Sequence, residues 1–241
     1  MRPIFLIARR ELSAYLRSLS GYVIIAALLF ISGLLFNAFA LGNGEKRSSE
    51  VLSAFFYFSF GTTTVAAILL SARLLAEERQ SGTISLLYSS PVRDAEIVIG
   101  KFLAAIGFLA IATLVSIYMP LLVMVNGKIS WGHIAAGYFG LLLVGSAVTA
   151  IGTFGSSLAR NVVVAAIINA CIVVALLVTW MLAKVTDRPL TDIFTAMALY
   201  NEHFVPFQSG IVHLRDVVYY LAVTYLALFG ATRVLEARRW R

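Results

Sequence analysis

The chain is 241 residues long, 60% hydrophobic and only 13% charged, with a mean hydropathy of +0.90. Soluble domains carry about 25% charged residues, so this composition excludes a soluble globular protein and fits an integral membrane protein. The net charge of +7 does not indicate a nucleic-acid partner, because the basic residues flank apolar runs as membrane topology requires.

Residues 3–17 predict an amphipathic helix. At about 100° per residue, Ile4, Phe5, Ala8, Leu12, Tyr15 and Leu16 fall on one arc, and Arg9, Arg10, Ser13 and Arg17 on another. Such a helix lies in the membrane interface with its arginines toward lipid phosphates. A plain basic flank that fixes topology is the equal alternative. A membrane-spanning helix needs about 20 mainly apolar residues. Six segments supply them, at 21–41, 52–72, 102–125, 134–158, 162–183 and 217–235, and no sizeable soluble domain is left over. The first run ends in Ala38-Phe39-Ala40, which imitates a signal-peptide cleavage site, but run and leader are both long for one. Arg9-Arg10 lacks the surroundings of a twin-arginine signal.

Gly42-Asn43-Gly44 and Asn126-Gly127-Lys128 predict turns between spans. The fourth run carries Gly145, Thr149, Gly152, Gly155 and Ser156 at helical spacings, small residues that let membrane helices approach closely. The segment 185–216 is longer and contains Pro189, Pro206 and Gly210. Within it, 190–200 is helix-like but too short to cross, so it packs at the interface, since irregular backbone is not tolerated against lipid. Its mixture of apolar and charged residues predicts a cap over a translocation path.

Of the 19 basic residues, six (Lys46, Arg47, Lys128, Lys184, Arg188 and Arg215) fall in segments on one side of a six-span arrangement, and the remaining thirteen on the other. The positive-inside bias then predicts that both termini face the cytoplasm, in a multi-pass protein of the cytoplasmic or inner membrane.

A charged island lies between the second and third runs. It holds Glu77, Glu78, Asp94 and Glu96, four of the chain's 12 acidic residues. The apolar pattern of the second run continues through Leu74-Leu75-Ala76 to Glu77-Glu78-Arg79-Gln80, and Gly82 offers a helix stop because it tolerates positive φ. Thr83 can cap a short helix over 84–88, with Ile84, Leu87 and Tyr88 on one face. Ser90-Pro91 predicts a second helix start, and Asp94 and Glu96 suit the positive end of its dipole. Glu77 and Glu78 are adjacent like charges: either a solvated helix end with Arg73 and Arg79 as local partners, or a surface for a partner that brings cations.

Every acidic residue lies outside the six runs, and none has a lysine or arginine at its centre. Proton- and ion-coupled carriers keep ionisable groups at membrane depth, so this pattern argues against secondary transport. Gly100-Lys101 lacks the earlier glycine and the following Ser/Thr of an ATP-binding loop. His133, His203 and His213 have no metal-ligand spacing, which predicts no metal or cofactor. Gly155-Ser156-Ser157 has no histidine within a span to act as base, so no intramembrane enzyme is expected. Cys171 is the only cysteine, so there is no disulfide framework.

The run Arg73…Ala76-Glu77-Glu78-Arg79…Ser81-Gly82-Thr83…Leu86-Leu87…Ser90-Pro91-Val92…Glu96-Ile97-Val98…Gly100-Lys101-Phe102 resembles the cytoplasmic loop of ABC-2 type (type V) exporter permeases. The small six-span branch, with gliding-motility and nitrous-oxide-reductase-maturation permeases, is the most similar. Arg10-Glu11-Leu12 resembles the family's interfacial leading helix. His203-Phe204…Phe207…Gly210…Leu214-Arg215-Asp216-Val217 resembles its outer hairpin, and Arg238-Arg239-Trp240 its basic tail. The resemblance implies an all-α polytopic fold: six transmembrane helices, an N-terminal interfacial helix and a cytoplasmic coupling helix, in one domain over 1–241. It implies a permease without catalytic or cofactor residues that works with two ABC ATPase subunits and a second copy or paralogous permease. ATPase coupling would fall to Glu77, Glu78, Arg79, Gly82, Thr83, Leu87 and Pro91, and the outer hairpin would use Glu202, His203, Phe204 and Gly210. A non-transporting membrane assembly subunit is the alternative, favoured if the chain purifies without an ATPase.

Overall fold

The computed structural model describes residues 2–41, 47–83, 92–127 and 129–239. The expected turn at Gly42-Asn43-Gly44, the short helix over 84–88 with Leu87, and Pro91 lie outside the described residues. Those described form helices and turns, with no strand among them. In chain order the helices are α1 (Arg2–Arg17), α2 (Leu19–Leu35, continued as a π-helical turn over Phe36–Leu41), α3 (Ser48–Gln80) and α4 (Asp94–Val115). There follow α5 (Tyr118–Asn126), α6 (Trp131–Leu158), α7 (Val162–Val185), α8 (Leu190–Met197), α9 (Val205–Gln208) and α10 (Leu214–Arg239). Among the described residues six stretches are long and apolar enough to cross a membrane: Gly21–Phe39, Ser48–Gln80, Asp94–Val125, Trp131–Leu158, Val162–Val185 and Leu214–Arg238. The protein is thus an all-α polytopic membrane protein.

α6 is the central post. Its small residues face α3 and α7 so closely that a Cβ on Gly152 would collide with Ser71 Oγ, and one on Gly155 with Asn169 Oδ1. Lipid is as apolar as leucine, so packing and hydrogen bonds between helices carry the cohesion here. Toward one end, Phe55, Phe56, Phe60, Tyr138, Phe204, Phe207 and Tyr220 bury together as an aromatic plug. At the other end α6 meets the last turns of α3 and α10.

α1 packs along α4 rather than standing alone in the interface. An added Cβ on Gly100 would lie 2.9 Å from Ile7 Cβ, and the Tyr15 and Phe108 ring centroids are 5.6 Å apart. Phe5 points away from the protein, as do Arg9 and Arg10. The third span breaks between α4 and α5. Pro120 has no N–H for the Ser116 carbonyl, and the turn tightens there through Met119 N–H to Ser116 O at 3.0 Å. Ser116 Oγ meets the Tyr138 hydroxyl at 3.0 Å, which satisfies both at the kink.

α3 runs unbroken from Ser48 to Gln80, overrunning the 52–72 run at both ends and stopping where the continued apolar pattern and Gly82 predict. One boundary differs from the sequence reading. α4 starts at Asp94, not at Ser90-Pro91, because the Glu96 carboxylate accepts the Arg93 amide at 3.0 Å and fixes the first turn there.

Candidate functional site

At about 1.5 Å per residue α3 is about 50 Å long, against an apolar bilayer core of about 30 Å. Its final turns therefore emerge beyond the span while still helical. Gly82, at φ +74°, ends the helix in a conformation other residues adopt only with strain. Thr83 does not leave this turn: its hydroxyl meets Ser81 Oγ at 2.9 Å and folds back toward the Glu78 carbonyl at 3.4 Å.

The acidic pair at the end of α3 divides its partners. Glu77 is paired two-fold with Arg73, with Nε to Oε2 at 3.1 Å and Nη2 to Oε1 at 3.0 Å, and its side chain remains 52% exposed. Glu78 turns inward to Lys101 Nζ at 2.8 Å, and Lys101 also meets Glu11 at 3.4 Å. Lys101 is only 5% exposed. One buried lysine thus ties α3, α4 and α1 together, and the cations expected from a partner come in part from this chain. Glu11 also meets the exposed Arg10 at 3.7 Å, so the two carboxylates are balanced by a buried lysine and a solvated arginine. Burial, reinforced by Glu11, pushes the Tyr15 phenol well above its ordinary pKa and keeps it neutral beside the cluster.

The same turns of α3 clamp the α6–α7 junction. Arg79 Nη1 donates to the Ala159 carbonyl at 2.9 Å, and Gln80 Oε1 accepts the Val162 amide at 3.2 Å. Arg238 of α10 donates to the Leu158 carbonyl at 2.8 Å, so two arginines complement the negative end of α6. Ser156 of α6 reaches into the α3 backbone: its hydroxyl accepts from Leu75 N at 3.0 Å and Ala76 N at 2.9 Å and donates to Ala72 O at 3.0 Å. Leu75 packs with Val98 of α4 and with Ala231 and Leu235 of α10. The end of α3 is thereby fixed to α1, α4, α6, α7 and α10.

At the opposite end, the segment after α7 folds as a compact cap. His203 is buried, with Nδ1 2.9 Å from Asp216 Oδ1, Nε2 3.1 Å from the Ala196 carbonyl, and its ring stacked on Tyr219 at 3.7 Å. Glu202 is partly exposed and pairs with Arg215 at 3.1 Å, and Arg215 Nε also meets Asp216 at 3.2 Å. Phe204 is buried in the aromatic plug, 4.8 Å from Phe60. Gly210 takes φ +82° with its Cα facing His133, whose Nε2 lies 2.8 Å from the Gln208 carbonyl. Tyr200 donates to Gln208 Oε1 at 2.6 Å, and burial raises its phenol well above the usual range. Of the four hairpin residues, His203, Phe204 and Gly210 hold the cap in shape, and Glu202 remains at its surface.

Sequence reasoning did not find Lys101, Glu11 or Ser156 as partners of the acidic turn, or Asp216 as the partner of His203. The pairs join residues on different elements, and the charged ones have as their only local signal a place at the edge of an apolar run, while Ser156 reads locally as a small packing residue. Among the described residues no group of three or more His, Cys, Asp or Glu side chains is placed to hold a metal.

A family model described as ABC-2 family transporter protein matches residues 5–229. Comparison with curated proteins gives no match.

Proposed function

The chain belongs to the ABC-2 transporter family as a membrane-embedded permease component, and from that premise we propose that it moves its substrate outward across the cytoplasmic or inner membrane, driven by separate ATPase subunits. In this reading two ATPases serve a pair of permeases, a second copy of this chain or a paralogue. Each permease is a single transmembrane domain with both termini and the α3–α4 connection in the cytoplasm. No ATP chemistry is assigned to the chain itself.

The observation that carries the reading is the mechanical continuity of α3. One helix joins the aromatic plug at Phe55–Phe60 to the acidic turn at Glu77–Glu78, and that turn is bonded to α1, α4, α6 and α7. A force applied at the turn is then delivered to several spans together. Glu77 is the exposed carboxylate of the turn and so presents negative charge to a basic ATPase surface, with Arg79, Gly82, Thr83, Leu87 and Pro91 shaping that contact. The hairpin around Glu202 closes the far end of the path.

Affinity purification of the tagged full-length chain from its native membrane tests the reading. Recovery of a nucleotide-binding subunit in about equal amount is expected. Quantitative recovery of the chain with no ATPase supports the assembly-subunit alternative instead.

A further inference from the structure

A cavity of about 960 Å³ opens between α2, α3 and α7, lined by residues such as Val23, Leu28, Leu35, Leu69 and Leu177. Along α3 it extends from Leu69 to Tyr57, about 18 Å at helical rise, close to the roughly 15 Å depth of a single leaflet. Gly61 forms part of its wall, and an added Cβ there meets nothing within 4 Å. Glycine inside a helix costs about 1 kcal/mol relative to alanine, and no packing demands it at this position; its effect is to leave the cavity open.

At its hairpin end the cavity shares Trp180 and Asn201 with a smaller cleft of about 240 Å³ that adds Lys184, Thr195 and Glu202. Glu202 is taken by Arg215. Lys184 lies 4.5 Å over the Trp180 ring and has no carboxylate partner among the described residues. An apolar trough one leaflet deep thus ends at a cation with no counter-ion among the described residues.

We propose that this trough and cleft bind one anionic phospholipid of the outer leaflet, its acyl chain along α2 and α3 and its phosphate on Lys184. The proposal rests on the topology proposed above, which puts the hairpin end of the trough at the outer leaflet. Charge complementarity at Lys184 and the match in depth favour a lipid over a second copy of the chain, whose α2 would bring no anion to the cleft.

The test uses the full-length chain in dodecyl maltoside, with Trp131→Phe and Trp240→Phe leaving Trp180 as the remaining one of three tryptophans. Its fluorescence is titrated with phosphatidylglycerol carrying brominated acyl chains, and separately with diacylglycerol carrying the same chains. Phosphatidylglycerol is expected to half-saturate quenching at an about three- to fivefold lower concentration, the range an exposed ion pair supplies. Lys184→Gln should remove that difference, and Gly61→Leu, whose Cβ enters open space and whose longer side chain then occupies the trough, should abolish saturable quenching by both lipids. Equal half-saturation by the two lipids overturns the headgroup assignment. Absence of quenching by either, as a covering second copy would produce, overturns the site. Either failure in a chain that still brings down its ATPase leaves the permease reading standing.

Discussion

Lys101 is the residue on which the inner site depends. It is buried between Glu11 and Glu78, and removing a buried partner of a charge costs more than forming the pair contributes. Lys101→Met takes the lysine from Glu78 and leaves Glu11 only the exposed Arg10, and about 1–3 kcal/mol of destabilisation is expected, discounted because both carboxylates are partly solvated. Glu78→Gln should cost less, and Glu11→Gln least, following contact distances of 2.8 and 3.4 Å. The exchange Glu78→Lys with Lys101→Glu should recover part of the loss. Thermal unfolding of the purified variants in detergent measures this order, and an additive double exchange would show that the two side chains do not interact. The sequence displayed these charges but not their pairing. Arg73 and Glu77 were legible as neighbours four apart on one helix, whereas Glu78 finds its lysine on another helix, at the far end of the charged island.

At the scale of elements, the six spans were legible because an apolar run of about 20 residues has few alternatives to crossing a bilayer. Where α3 stops was legible at Gly82, since the residue type follows from the φ it must adopt. The start of α4 at Asp94 was not, because it is fixed by a side chain reaching back, the Glu96 carboxylate on the Arg93 amide. Neither was the kink at Ser116, since Pro120 sits within an otherwise uninterrupted apolar run. The small residues of the fourth run were read as packing, and the contact of Gly152 with Ser71 accounts for them. Gly152→Val places a side chain where Ser71 Oγ already lies, so the variant should fail to give monodisperse protein by size exclusion. Gly61→Ala, facing open space, should behave as wild type or unfold at slightly higher temperature. Equal tolerance at the two positions would mean that α3 and α6 do not pack as described.

For the whole molecule, ATPase coupling at the acidic turn requires a polarity: the α1 end with that turn in the cytoplasm, the His203 cap outside. In a Cys171→Ser background, single cysteines at Ser49 and Ser209 should react with an impermeant thiol reagent in intact cells, and one at Ser81 should not. All three positions are exposed in the structure, so silence at position 81 reports sidedness rather than burial. Labelling at position 81 from outside would reverse the topology.

The central claim is that an ATPase acts on the acidic end of α3. Glu77→Arg tests it most directly, because Glu77 is the exposed carboxylate there, whereas changes at Glu78 also disturb Lys101. Like charges opposed across an interface cost up to several kcal/mol, so Glu77→Arg should lose ATPase co-purification while the chain inserts and elutes as wild type. Glu50→Arg, at the opposite end of the same helix, should retain it. A Glu77→Arg chain that brings down its ATPase at the wild-type ratio would contradict the account.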